Sequence, residues 1–417
     1  MARVFHGWKM VGAGCAMQFV QSCLLLQAFG AYFATLREDR GWSKTELSGA
    51  AALHQMESAI FGPVLGWCLD RFGPQWVIRL GVLTFGLGFI LLSFIDTLLG
   101  FYAAFLLAAT GASLCGYFPL TFSLIHWFER NRARALSTMQ LGMAAGGLAV
   151  PAVAWVLATY GWRATAFASG VVIIVVCLPL SWVFKRHPRD VGERMDGDAH
   201  PPPAAADAKG AAEADDGTRD FTAREAVRTP AFWLLSLGHG FALFVVMGVN
   251  THAITHMKEG LGYSLEAAAG FIMLQTLAQL GGVALGAWCG DRYDKRMLSA
   301  WCMVGHMAGL LLLTYAVNAA MLVAYAVLHG VAWGLRGPFM QAIRADYFGR
   351  SAIGMILGLS LLIIVVGQVG GPLIAGIMAD LTGNYRAGFT LLALLAGLGS
   401  AFFLFAKRPA RPLREPA

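Results

Sequence analysis

Charge is scarce in this sequence: Asp, Glu, Lys and Arg make up 13% of its 417 residues, about half of what a soluble globular chain carries. A solvated surface over most of its length is thereby excluded. Acid is rarest inside the apolar runs, where only Glu57 falls near the middle of one. Cysteine chemistry is missing too. Cys15, Cys23, Cys68, Cys115, Cys177, Cys289 and Cys302 show no metal-ligand spacing and sit mostly in apolar segments, as small packing residues do. No nucleophile–base pair, metal cluster or phosphate loop stands out, and the glycine-rich stretches lack the preceding strand a nucleotide loop needs. The expectation is a protein that is not an enzyme, with no cofactor and no metal site. A cleavable signal is not expected either, because the first apolar run continues well past the length of a signal core.

What the sequence does have is apolar length. Hydrophobic residues reach 57%, gathered in runs of roughly 20, enough to cross a bilayer as a helix. The fold class is therefore all-α integral membrane. Twelve transmembrane helices are predicted over roughly 9–36, 45–70, 76–95, 98–127, 132–160, 162–185, 230–257, 264–290, 297–317, 319–346, 351–380 and 384–406. Residues 186–229, with His200-Pro-Pro-Pro and the acidic run Glu213-Ala-Asp-Asp, cannot bury a core and read as a linker. Its end, Phe221 to Arg228, has the makings of a short surface helix. The chain divides into a six-helix half at 1–185, the linker, and a second six-helix half at 230–417.

The net charge of +7 is read as membrane topology rather than nucleic-acid affinity, since basic residues collect in cytoplasmic loops. With both termini inside, sixteen Lys and Arg fall on the short cytoplasmic segments, Arg344 among them, and six on the opposite side. Eight lie in the linker region, which leaves Arg336 of the 31 as the one base assigned to a span interior. A guanidinium stays charged, so in hydrocarbon it must face protein, water or ligand.

The two halves repeat. Gly111 and Pro119 match Gly330 and Pro338 at an offset of 219. Asp70-Arg71 matches Asp291-Arg292 at 221, as Gly146 and Pro151 match Gly367 and Pro372. Such parallel repeats hold substrate midway, at the repeat interface. At this offset Tyr117 stands opposite Arg336.

These residues resemble the major facilitator superfamily. Its loop signature appears as Gly66-Trp-Cys-Leu-Asp70-Arg71-Phe-Gly73-Pro-Gln75, with Gln75 where the family usually has a base; the copy at Asp291-Arg292-Tyr-Asp294-Lys295-Arg296 is degraded. Gly7-Trp8, Trp127-Phe128-Glu-Arg-Asn-Arg-Ala-Arg134, Gly161-Trp162-Arg163, Tyr347-Phe348-Gly349-Arg350 and Asp380-Leu-Thr-Gly383-Asn-Tyr385 are similar to the monocarboxylate-transporter-like and oxalate/formate-antiporter-like branch. The resemblance implies two six-helix halves that rock about a central site. That branch commonly binds carboxylate through a base in span 8, or a lysine in span 1 or 11. Here span 8 offers Gln275 and Gln279, span 1 offers Gln18, Gln21 and Gln27, and span 11 offers Gln368. The positive charge would have to come from Arg336.

Arg336 is accordingly the candidate binder of an anionic substrate through a bidentate pair, against a structural arginine that pairs with Glu57 or a carbonyl, or snorkels toward the cytoplasm. His329, on the same face, and Tyr117, Gln140, Gln275, Gln279 and Gln368 are candidate cavity residues, against plain packing. In span 7, Asn250 and His252 are candidates for substrate binding, against ordinary interfacial residues. Glu57 with His54, at i and i+3, is the candidate for proton coupling, against a helix–helix hydrogen bond. Asp70, Arg71, Asp291 and Arg292 look like the superfamily's latches, against topology anchors.

The function expected is secondary active transport of a small organic anion, a mono- or dicarboxylate. It places a monomeric, multi-pass symporter or antiporter in the inner membrane, with the lipid bilayer and protons as partners and no nucleic acid. Two alternatives stay open: a carrier of neutral or cationic solutes of the efflux type, and a transporter-like receptor.

Overall fold

The computed structural model describes residues 5–26, 28–42, 57, 60–197 and 218–413, all helix and connecting loop apart from one isolated bridge. His54, Gln27 and the acidic run of the linker lie outside the described residues. Span 1 runs as His6–Gln21, a π-turn at Ser22–Leu26, and Phe29–Arg40. Span 2 is helical over 60–72. Span 3 is Pro74–Leu92, and span 4 is Leu98–Cys115 followed by Tyr117–Trp127. Gly116 interrupts span 4, with φ −92° and ψ −150°, and makes Tyr117 the first residue of a new helix.

Span 5 begins at Arg132–Leu148 and continues into Val150–Val172, which is really two helices: Gly161, at φ 77°, reverses the chain between spans 5 and 6. A left-handed backbone there costs glycine nothing. The second half runs Pro230–Thr255, Leu265–Cys289, Lys295–Thr314, Ala319–Phe348, Ile353–Thr382 and Arg386–Phe405, as spans 7 to 12. Among the described residues, nine helical stretches are long and apolar enough to cross a membrane. Spans 1, 2 and 5 fall short because each is broken or described only in part. The expected surface helix is Ala223–Val227, capped by Thr222 with Glu225 returning the contact.

One apolar core is built almost wholly from spans 1–6 and another from spans 7–12. Glycines set the spacing inside each. A Cβ on Gly146 would lie 2.8 Å from the Phe19 carbonyl oxygen, and one on Gly367 would lie 2.0 Å from that of Gly240. Both pairs obey the same offset of 221 residues, so the sequence repeat is also a contact repeat: span 5 on span 1, span 11 on span 7. Close backbone approach through small residues is how helices gain packing where no hydrophobic drive exists.

A third apolar cluster joins the halves. Leu65, Leu69, Val77, Phe122 and Ile125 meet Ala345, Ile353 and Leu357, all near the ends of spans 2, 3, 4, 10 and 11. At this level a Cβ on Gly66 would lie 2.2 Å from the Gly354 carbonyl oxygen. The loops here touch one another and both chain ends: the His6 N–H donates to Glu193, and Thr218 bridges Leu413. We call this the terminal face. The halves are closed against each other on this side.

Candidate functional site

Span 10 carries a stripe of buried polar residues where its periodicity demands apolar ones. Tyr325, His329, Arg336 and Arg344 follow one another at four-, seven- and eight-residue steps, one face of a helix, and none exceeds 1% exposure. The helix is 30 residues long, or about 45 Å, so it outruns the bilayer core of about 30 Å. Arg336 therefore stands roughly 18 Å from its terminal end, inside the membrane. Arg344 is some two turns deeper into the terminal side.

The two guanidiniums differ in their surroundings. Arg344 donates through Nε to Ser360 Oγ at 3.0 Å, through Nη1 to the Met340 carbonyl at 2.7 Å and through Nη2 to the Leu235 carbonyl at 3.4 Å. It ties spans 7, 10 and 11 together. Assigning it to a cytoplasmic segment is corrected here: closeness to a span end does not expose a residue when neighbouring helices cover that end. Arg336 is the opposite case. Its Nε and Nη1 are buried with no hydrogen-bond partner among the described residues. The groups that favour its charge are the Cys302 thiol and the Tyr117 phenol. Every acid of spans 7 to 12 sits near a span end. Leaving a buried cation unpaired costs several kcal/mol.

Around Arg336 the structure assembles part of the expected set. Gly330 and Gly334 let span 8 approach closely, a Cβ on either meeting the Gln275 or Gln279 carbonyl at 2.3 and 2.0 Å, so both glutamines pack on span 10. Gln275 accepts a hydrogen bond from the Tyr325 hydroxyl. From the other half, Gln140 lies against Gly337, 3.1 Å from where a Cβ would be, with its Oε1 buried and unpartnered among the described residues. Tyr117 faces both Arg336 and Arg344. His329 belongs to the same stripe.

Others are placed elsewhere. Asn250 is exposed. His252 donates through Nε2 to the Pro372 carbonyl at 3.0 Å and bonds the Tyr385 hydroxyl through Nδ1 at 3.2 Å, a contact between spans 7 and 11 toward the face opposite the termini. Gln368 is half-buried on span 11. Glu57 accepts from Ser113 Oγ at 3.3 Å, within the first half.

At the terminal face the two aspartates of the repeated motif hold the halves together. Asp70 accepts from the N–H groups of Gly354 and Met355 at 3.0 and 2.8 Å, and Asp291 from those of Ala133 and Arg134 at 2.8 and 2.9 Å. Each carboxylate meets the positive end of a helix from the other half. Ion pairs between the halves reinforce them, Arg132 with Asp346 and Arg350 with Glu129 at 2.7 Å, while Lys295 holds Asp346 at 3.1 Å from within the same half. The arginines of the motif do not share the task. Arg71 is exposed, and Arg292 stacks over the Trp288 ring of its own half at 4.9 Å. Beneath the latch opens a vestibule of about 1350 Å³ with Arg186, Arg189, Arg350, Arg408 and Arg411 in its walls.

Sequence reasoning missed His306 and Arg344. His306, in span 9, is fully buried and bonds His329; a lone histidine on an apolar helix gives no signal of its partner 23 residues away.

A bundle of two pseudo-equivalent helical halves, latched at one face and enclosing a buried cation, is the architecture of a membrane transporter. The family model described as Major Facilitator Superfamily matches residues 15–300 and 272–417, and the chain belongs to that family. It is 26% identical to monocarboxylate transporter 13 of Bos taurus over 97% of this chain and 92% of that one. It is also 26% identical to the probable sulfoacetate transporter SauU of Cupriavidus necator, over 89% and 87%. Among solved structures it resembles the proton:xylose symporter XylE, with a TM-score of 0.73 at 14% identity over 98% of each chain. It is a transporter and not an enzyme.

Proposed function

We propose that this transporter carries a small organic anion, a mono- or dicarboxylate, across a prokaryotic-type inner membrane. Residues 1–185 and 230–417 rock about a site at Arg336, and both termini face the cytoplasm. The carrying observation is the buried guanidinium whose Nε and Nη1 lack partners among the described residues, beside the phenol of Tyr117. A carboxylate meets a guanidinium with two parallel hydrogen bonds across Nη1 and Nη2 or across Nε and Nη2, and Gln140 from the facing half adds a polar group. Relatives named for monocarboxylates and sulfoacetate support an anionic cargo. The basic excess of the terminal face supports its cytoplasmic placement, and the arginine-lined vestibule attracts anions to that mouth.

The test is uptake of a panel of small mono- and dicarboxylates, with uncharged and cationic solutes as controls, into proteoliposomes under an imposed pH gradient. Arg336→Gln should abolish anion uptake while the protein remains folded and monodisperse. Normal uptake by that variant returns Arg336 to a structural role. Proton coupling through Glu57 is part of the proposal: Glu57→Gln should flatten the pH dependence, and an unchanged profile removes Glu57 from it.

A further inference from the structure

His306 of span 9 and His329 of span 10 face each other through like atoms, Nδ1 to Nδ1 at 3.1 Å, with ring centroids 4.7 Å apart and planes at 66°. Both are fully buried, and the Nε2 atom of each has no hydrogen-bond partner among the described residues. The ring of Tyr325 lies 5.8 Å from that of His329.

Proton bookkeeping in this geometry is restrictive. A hydrogen bond between two Nδ1 atoms needs a proton on one and a lone pair on the other. The donor ring, neutral, then carries no proton on Nε2, while the acceptor ring carries its proton on Nε2. One further proton can enter, on the bare Nε2 of the donor ring, giving an imidazolium bonded to a neutral imidazole. A second is blocked, because it would set N–H against N–H at 3.1 Å. The pair is a one-proton site.

Its electrostatic setting is dominated by one charge. Arg336 acts on both rings. From span 7 the neighbouring titratable group is His239, itself under the field of Arg336 and Arg344. Cys302 on span 9, Tyr325 and Arg344 on span 10 and Tyr117 across the interface belong to the same set. Span 8 brings Cys289, which faces Cys302, and span 12 brings no titratable group to this level among the described residues. Adding a proton beside an unpaired guanidinium in a low-dielectric interior is opposed; pairing that guanidinium with a carboxylate removes the opposition.

We infer that the His306–His329 pair takes up a proton that travels with the anion, in addition to the one proposed for Glu57, and that anion binding at Arg336 and protonation of the pair are cooperative. The inference rests on the anion reading of Arg336 and names what couples that site to the proton gradient. Thermodynamic reciprocity requires each ligand to raise the other's affinity by the same factor. One anion then travels with one proton bound at the pair.

The experiment uses full-length protein in proteoliposomes and the carboxylate from the panel above that wild type accumulates best. His306→Gln is assayed by pH-gradient-driven accumulation and by anion exchange without a gradient, and His329→Gln by accumulation alone. Expected is a loss of accumulation of about tenfold or more in both, the scale of a typical coupling factor, with exchange retained in His306→Gln. Full gradient-driven accumulation in both variants overturns the pair's role and leaves the anion reading standing. Failure of every anion to depend on Arg336 overturns the anion reading itself. Because either variant can fail to fold, histidine ¹⁵N resonances of the wild type give a second measurement. Two rings that take up two protons together overturn the one-proton site directly.

Discussion

Asp70 and Asp291, 221 residues apart, each cap a helix that belongs to the other half of the molecule. The backbone groups they hold, Gly354-Met355 and Ala133-Arg134, stand 221 residues apart as well. The latch is thus one contact made twice. Its energy lies between the halves rather than within either, so its loss shifts a conformational balance before it costs fold.

Asp70→Ala and Asp291→Ala should each open the terminal face. Removing a helix-capping acceptor costs about 1 kcal/mol, up to about 2, which changes a two-state ratio by roughly 5- to 30-fold. Distances between spin labels on the loops after spans 4 and 10 should lengthen in both variants, with melting temperature little changed. Unaltered distances count against the latch.

Asp291 also gives that balance a pH dependence. Burial raises its carboxyl above the ordinary value; the N–H groups of Arg134 and Ala133 and the Lys295 ammonium pull it down, and Asp346 adds to the rise. The latched form therefore binds a proton more tightly than a form with Asp291 in water. Linkage then makes acid favour the closed terminal face, in the window from the raised value down to the ordinary one of about 3.9. Spin-label distances should shorten across that window in wild type, and Asp291→Asn should remove this contribution.

The two buried arginines of span 10 should respond oppositely to loss of charge. Arg344 satisfies one hydroxyl and two carbonyls, so Arg344→Met strands buried acceptors at about 1–3 kcal/mol each and should lower the melting temperature. Arg336→Met removes a buried cation that is unpaired among the described residues, and apolar replacements of buried charges are often stabilising by about 1–4 kcal/mol. It should hold or raise the melting temperature while abolishing anion uptake. A thermal-shift comparison of the two settles which arginine is structural.

Glycines inside a half and between halves should also separate. A Cβ on Gly142 would sit 1.9 Å from the Cys15 carbonyl oxygen, within the first half; Gly142→Ala should impair folding, since those helices do not part. Gly66→Ala meets Gly354 across the halves. Overpacking of about 1–3 kcal/mol can be relieved there by opening the terminal face, so the variant should stay folded and be labelled faster by thiol reagents on that side.

How much of this was legible beforehand follows from what each signal depends on. Apolar runs are local, and a bilayer demands that each satisfy its own backbone, so the spans, the two halves and the repeat could be read from residue order. Glycine pairs at matching offsets announced the close contacts of spans 5 and 11. Asp70 and Asp291 were visible as motif residues, and Arg336 as an expensive charge in a hydrophobic stretch. Burial could not be read in the same way. Arg344 looked peripheral because a span end is where bases belong; covering helices from both sides of the bundle made it a core residue. His252 looked like cavity material and proved to join spans 7 and 11, because its height along the helix, fixed by packing, decides its neighbours. The pairing of His306 with His329, and the lack of an acid beside Arg336 among the described residues, are properties of helices brought side by side. The sequence by itself set which helices exist and which charges they carry; only the tertiary structure decided which of those charges are answered, because partners in a bundle are chosen across helices and not along them.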